Sequence, residues 1–219
     1  MMARGYLLSF EGLDGAGKTT QMDMLGRWLD EQGVVYVRTR EPGGTPLGVE
    51  IRHLLFHHPE LTITPLAEAF LFQADRAQHF ATLVLPALEA GTLVVTDRCF
   101  DSSIAYQGAA QGVGTELVEH LSLLATQHHV PDLTFFLDLD PAQVRTRTNV
   151  ENDQGGRRGQ QSRFDRAEEP FQLRLRQAFL TLAHNHPERI KIINATQSLQ
   201  HVHQDIIALV IHLLQIRLS

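Results

Sequence analysis

The chain has 219 residues, 43% hydrophobic and 20% charged, enough for one substantial core and suggestive of a single domain over 1–219. A formal net charge of −6 offers no basic field for nucleic acid or an anionic membrane, so neither is expected as a partner. Cys99 is the lone cysteine, which excludes an intrachain disulfide framework and argues against a cysteine-based zinc site.

The opening, MMARGYLLSFEG, reaches Glu11 after few apolar residues, which argues against a secretory leader. Residues 6–10 (YLLSF) read as a buried strand. Directly behind it, Gly12-Leu13-Asp14-Gly15-Ala16-Gly17-Lys18-Thr19 fits G-x-x-x-x-G-K-[ST], and a helical pattern follows over 19–32, opening with Thr19 and Thr20. Such a loop turns backbone N–H groups toward phosphates at a helix N-terminus, so this stretch is expected to bind ATP. In it Lys18 would neutralise the β- and γ-phosphates and Thr19 would ligate Mg²⁺. The chain holds only two lysines, Lys18 and Lys191, against seventeen arginines, which fits a place at Lys18 for a compact ammonium.

Further strands are read at 34–39, 93–96, 133–137 and 190–193. Helices are read at 48–56, 65–90 with a break, 115–128, 141–147, 170–185 and 200–218, and Gly33 and Gly91 stand where helices stop. Alternation of short β-branched runs with helical patterns implies a parallel sheet covered on both faces. The strand LVVT ends in Asp97, on the ligand edge of such a sheet, where a carboxylate would hold Mg²⁺ directly or through water. The last helix is interrupted by His212, Gln215 and Arg217, so it reads as an amphipathic closing helix and not a membrane span. A cytoplasmic protein is expected.

Residues 148–162 (TNVENDQGGRRGQQS) carry a single apolar side chain, Val150, and read as an exposed loop bearing Arg157 and Arg158, with Arg163 and Arg166 just beyond. Neither lysine follows an asparagine, so the guanine-reading Asn-Lys-x-Asp of a switch GTPase is missing and a small phosphotransferase leads. A nucleotide-binding module without turnover is the alternative from outside the enzymes.

Six stretches, in order and spread over most of the chain, together resemble the thymidylate (dTMP) kinases: FEGLDGAGKTT (10–20), TREPGGTPLG (39–48), FLFQADRAQH (70–79), TDRCFDSSIAYQG (96–108), FLDLDP (136–141) and SRFDRAEEPFQLRLRQAF (162–179). The resemblance implies an α/β P-loop nucleoside-monophosphate-kinase fold, with a five-stranded parallel sheet, helices on both faces and a mobile lid at about 148–166. It implies transfer of a phosphoryl group from ATP·Mg²⁺ to dTMP within dTTP synthesis, with a kinase for dUMP or UMP as the rival. By the same resemblance Phe72 stacks on the thymine ring, Arg76 reaches the base or the monophosphate, and Arg98 bridges the acceptor phosphate and the transferred group. Arg40 and Glu41 border the acceptor, across a Glu41–Pro42 bond expected to be strained or cis. Ser102, Ser103, Tyr106 and Gln107 complete the pocket, Tyr106 crowding the sugar 2′ position, and Asp14 accepts from the 3′-hydroxyl. Arg157, Arg158 and Arg163 are the lid arginines, with Arg163 best aligned as catalytic, and Arg145 and Arg147 border the adenine. Relatives are homodimers, so a homodimer is expected. Cys99, Ser162 and Asp165 depart from the family pattern.

Overall fold

The computed structural model describes residues 4–144 and 169–215. Arg145, Arg147, Arg157, Arg158, Arg163, Arg166 and the whole of the expected lid lie outside the described residues.

Five strands, β1 (Leu7–Glu11), β2 (Tyr36–Arg40), β3 (Leu93–Asp97), β4 (Leu133–Asp138) and β5 (Ile190–Asn194), pair in parallel in the order β2-β3-β1-β4-β5. Each expected strand is present, with its ends moved by a residue or two. Successive side chains of a strand point to opposite faces, and the inner strands are apolar on both. Leu7, Val94 and Phe136 therefore enter one core, while Leu8, Val95 and Phe135 enter another. The second core is covered by α1 (Lys18–Glu31), through Met22, Leu25 and Leu29, and by α8 (Leu199–Gln215), through Val202, Ile206 and Val210. The first is closed by α7 (Glu169–Asn185), whose Phe179 stacks on Phe136 at 5.0 Å. Burying one such leucine or phenylalanine is worth about 1.5–3 kcal/mol, so both faces of the sheet are strongly held.

The helix expected from Gly48 starts earlier, as α2 (Pro46–Phe56), because the Thr45 hydroxyl caps Gly48 N–H at 3.0 Å and Pro46 suits the first turn. No break divides 65–90. Helix α3 (Pro65–His79) passes through a π-helical turn, Phe80–Val84, into α4 (Leu85–Glu89). The wider turn precedes Pro86, which offers no N–H and crowds the preceding carbonyls. Helix α6 (Thr115–Ala125) ends before His128 because Gln127 and His128 adopt left-handed backbone, φ 53° and 62°.

One helical element went unread in the sequence. Helix α5 (Phe100–Ser103) continues as a π-helical segment, Ile104–Ala110, with nearly every residue buried. It carries Ser102, Ser103, Tyr106 and Gln107, so all four residues of the expected acceptor pocket sit on one rigid element.

Candidate active site

The chain leaves β1 toward β2 at one edge and leaves β3 toward β4 on the other side, so the strand order switches direction between β1 and β3. Ligands of open α/β sheets bind at such a point, outside the strand C-termini. The glycine loop leaves β1 there. Gly12 (φ 135°) needs to be glycine twice over: its backbone is in a region closed to other residues, and an added Cβ would lie 2.7 Å from the Leu137 carbonyl oxygen. Gly17 (φ 98°) then admits the turn into α1.

Lys18 is buried, its Nζ donating to the carbonyls of Gly12 (3.2 Å) and Leu13 (3.0 Å) and to Asp14 Oδ1 (3.4 Å). Burial, and then the nearby Arg98, pull its pKa below the usual lysine value. Asp97, half-buried at the end of β3, pairs in register with Phe10 and Arg40. Among the described residues its carboxylate makes no hydrogen bond or ion pair, and Thr19, in the first turn of α1, is exposed. Two hard oxygen donors of this kind fit Mg²⁺.

Arg98 stands at the centre. Its backbone is left-handed (φ 69°), which costs about 1–3 kcal/mol in a non-glycine residue. Arg98 N–H bonds to the Phe10 carbonyl at 3.0 Å, and Thr96 Oγ1 donates to the Arg98 carbonyl at 2.8 Å, which holds that conformation. The guanidinium donates to Asp14 Oδ1 (2.6 Å), Ser102 Oγ (2.9 Å) and the Tyr106 hydroxyl (3.2 Å), and lies 5.1 Å from the Tyr106 ring centre. Burial opposes its charge, but Tyr106, Asp14, Glu11 and Asp97 outweigh burial and push its pKa well up.

Glu11, the last residue of β1, supports this arginine and was not singled out from the sequence. It is fully buried, accepts from Cys99 N–H (2.8 Å) and the Ser102 hydroxyl (2.5 Å), and lies 3.8 Å from the Arg98 guanidinium. Burial raises its pKa to about 7, with Arg98 pulling the other way. The clue was available, since an acid closing an apolar strand is the pattern that drew attention to Asp97. Cys99 is buried and its thiol pKa is pushed well up by that burial, so it is no nucleophile.

A second polar cluster surrounds Arg76, expected to border the acceptor. Arg76, 1% exposed, does not pair with its neighbour Asp75. Its Nε donates to Glu41 Oε2 (2.8 Å), and its two terminal nitrogens donate to Gln73 Oε1 (2.7 Å) and Ser103 Oγ (3.1 Å). The other oxygen of Glu41 lies 2.9 Å from His79 Nδ1, and His79 Nε2 lies 2.7 Å from Thr39 Oγ1. A carboxylate only accepts, so Nδ1 carries a proton toward Glu41. Burial raises the Glu41 pKa, but Arg76 and His79 more than compensate and hold it below the usual value. The Glu41–Pro42 peptide is cis. Asp75 instead accepts Gly43 N–H (3.0 Å) under the TREPGGT turn, and burial, then Glu41, raise its pKa to about 6.

Phe72, one turn before Arg76, is only half-buried, its ring 6.4 Å from Phe56. Arg40 is exposed at the end of β2. Arg52 of α2, also unread in the sequence, packs 5.2 Å from the Phe56 ring centre and donates to the Pro42 carbonyl (3.1 Å). Its pKa is lowered by burial and then by Arg40, against Asp97 and Asp14, which places its charge at this same cleft. Nothing in the local sequence marks it.

On α7, Arg176 clamps Asp138 with Nε–Oδ1 at 2.6 Å and a second bond at 2.9 Å, fixing that helix to the end of β4. No helix among the described residues is long and apolar enough to cross a membrane.

Strand order, glycine loop and flanking helices define the class, a P-loop protein with the nucleoside-monophosphate-kinase fold. Residues 10–206 match the family described as thymidylate kinase. The chain is 47% identical over 201 residues to a thymidylate kinase of Bifidobacterium longum, covering 90% of this chain and 93% of that one. It is 40% identical over 217 residues to a thymidylate kinase of Chlorobium chlorochromatii, covering 97% of each. Among solved structures it resembles the thymidylate kinase of Ehrlichia chaffeensis, with a TM-score of 0.74 and 32% identity over 94% of this chain and 99% of that one. The chain belongs to the thymidylate kinase family.

Proposed function

We propose that the chain transfers the γ-phosphoryl group of ATP to dTMP in the cytoplasm, releasing ADP and dTDP for dTTP synthesis. The observation carrying this reading is the placement of Arg98, whose guanidinium spans the phosphate loop at Asp14 and the acceptor helix at Ser102 and Tyr106. A planar fork in that position can hold oxygens of both the acceptor phosphate and the transferred group. The acceptor oxygen forms the new bond to the γ-phosphorus while the bond to the β-bridging oxygen breaks, leaving its electron pair on ADP. A phosphate monoester is largely dianionic at neutral pH, since its second pKa is about 6, so the attacking oxygen needs no strong general base. Lys18 and the loop N–H groups then hold the donor phosphates, and Arg98 and Arg52 neutralise charge between the substrates. Thr19 and Asp97 would hold Mg²⁺, which when bound supplies charge neutralisation on the donor phosphates.

Phe72 offers its half-buried ring to the base, and Arg76, although charge-compensated by Glu41, keeps N–H groups for a carbonyl of the base. Coupled ADP release with Mg²⁺·ATP and dTMP, dUMP, dCMP, UMP or no acceptor tests the reading. Strong preference for dTMP is expected; ATP binding without acceptor-dependent ADP release would sink it.

A homodimer is part of the proposal. Leu66 and Phe70 of α3 and Leu117 and Leu124 of α6 are each about half exposed, on two helices packed side by side. Such an apolar pair of helices suits an isologous interface. Light scattering should give twice the chain mass for the wild type and the monomer mass for Leu117→Glu; a monomeric wild type would overturn this.

A further inference from the structure

Glu68 is fully buried in the first turn of α3 and takes no part in the phosphoryl-transfer machinery described above. Its Oε1 accepts from Gln107 Nε2 and from Gln111 Nε2, each at 2.8 Å. Eight residues further along the same helix, Arg76 donates to Ser103 Oγ at 3.1 Å. Residues four apart share a helix face, so Glu68, Phe72 and Arg76 form one row, and two polar rungs, Glu68–Gln107 and Arg76–Ser103, cross to the opposite helix with Phe72 between them.

A carboxyl oxygen that takes two N–H groups is an acceptor, whereas a glutamine amide can present either its oxygen or its NH₂. Two NH₂ groups converging on one oxygen is the pattern of a pure acceptor. With its NH₂ held by Glu68, the planar amide of Gln107 must turn its carbonyl oxygen away from Glu68. A base lying on Phe72 and meeting Gln107 would then face an acceptor, which complements the N3–H of thymine or uracil and repels the N3 lone pair of cytosine. Buried polar groups left unpaired by the wrong ligand are the strongest source of discrimination available to such a site.

We propose that Glu68 is a positioning residue that locks the Gln107 amide with its oxygen toward the base, and so sets the preference for a pyrimidine bearing N3–H. This rests on the reading above that Gln107 faces the base.

The test compares kcat/KM for dTMP and dCMP in three variants. Glu68→Leu removes the acceptor that holds the Gln107 amide and frees it to flip, which Glu68→Gln alone would not, since its amide oxygen could still accept. The dTMP-over-dCMP ratio should fall at least ten-fold in Glu68→Leu, mainly in KM, with kcat for dTMP within about three-fold. The double variant Glu68→Gln/Gln107→Glu restores an acceptor oxygen on the base side, because the amide at 68 then donates to the carboxylate at 107. It should recover much of the lost ratio, and it decides the matter alone if the single variant does not fold. Gln107→Leu separates the two ideas. A ratio unchanged in Gln107→Leu means that Gln107 does not read the base. A ratio that falls in Gln107→Leu and stays at the wild-type value in Glu68→Leu, or falls in Glu68→Leu without recovery in the double variant, overturns the positioning role.

Discussion

Replacing Arg98 by lysine should lower kcat about 1,000-fold while leaving the affinity for an unreactive ATP analogue within a few-fold of wild type. Lysine keeps the positive charge but loses the fork that reaches Asp14, Ser102 and Tyr106 together. It also gives up the contact with the Tyr106 ring. The donor phosphates keep Lys18 and the backbone of the glycine loop, so binding should suffer little. The loss belongs to charge that develops as the γ-phosphoryl group moves, and kcat is where it registers. Alanine at the same position should be no better, and it would leave Glu11 buried without its cationic neighbour. A kcat within ten-fold of wild type in Arg98→Lys would remove Arg98 from the transfer step.

Glu11 should make the protein less stable as pH rises. Burial lifts its pKa from an ordinary 4.5 to about 7 in the folded state, so between those values the native chain binds a proton that the unfolded chain has released. Stability therefore falls with increasing pH through this window. The contribution is fully present below pH 4.5 and gone above about pH 7. A shift of this size corresponds to about 3 kcal/mol. Asp75, raised to about 6 by burial, adds to the same trend. Glu11→Gln stays neutral throughout, and its amide can still accept from Cys99 N–H. Melting curves between pH 4 and pH 8 should thus show wild type losing about 6–12 °C relative to Glu11→Gln. A difference in Tm that does not change across that range would show that Glu11 does not titrate there.

The parts of this molecule that could be read from its sequence are those whose signal is local. The glycine loop, the acid ending β3 and the short β-branched runs each announce themselves within about ten residues. The acceptor helix did not, since DSSIAYQGAA is small, mixed in polarity and buried on nearly every side, so no amphipathic period marks it. Glu11, His79 and Glu68 escaped for another reason. Their partners lie far along the chain: Ser102 is 91 residues from Glu11, Glu41 is 38 from His79, and Gln107 is 39 from Glu68. Only folding creates the pairings that give these side chains a purpose. Arg76 shows the limit in miniature, because its partner Glu41 lies 35 residues away and nothing in the local sequence points to it.

The alternation of side chains along β1, β3 and β4 divides the interior into two cores on opposite faces of the sheet. The helix that follows the phosphate loop is anchored in one core, while the buried segment carrying the acceptor-side serines, Tyr106 and Gln107 is anchored in the other. The helix behind the phosphate loop and the segment expected to hold the acceptor are thus, mechanically, two fittings bolted to opposite sides of one plate. Substitutions in the core under the Ile104–Ala110 segment are expected to disturb α1 little, since α1 packs on the other face. Arg98 and Glu11, rooted in the edge of the plate itself, are the parts that both fittings share.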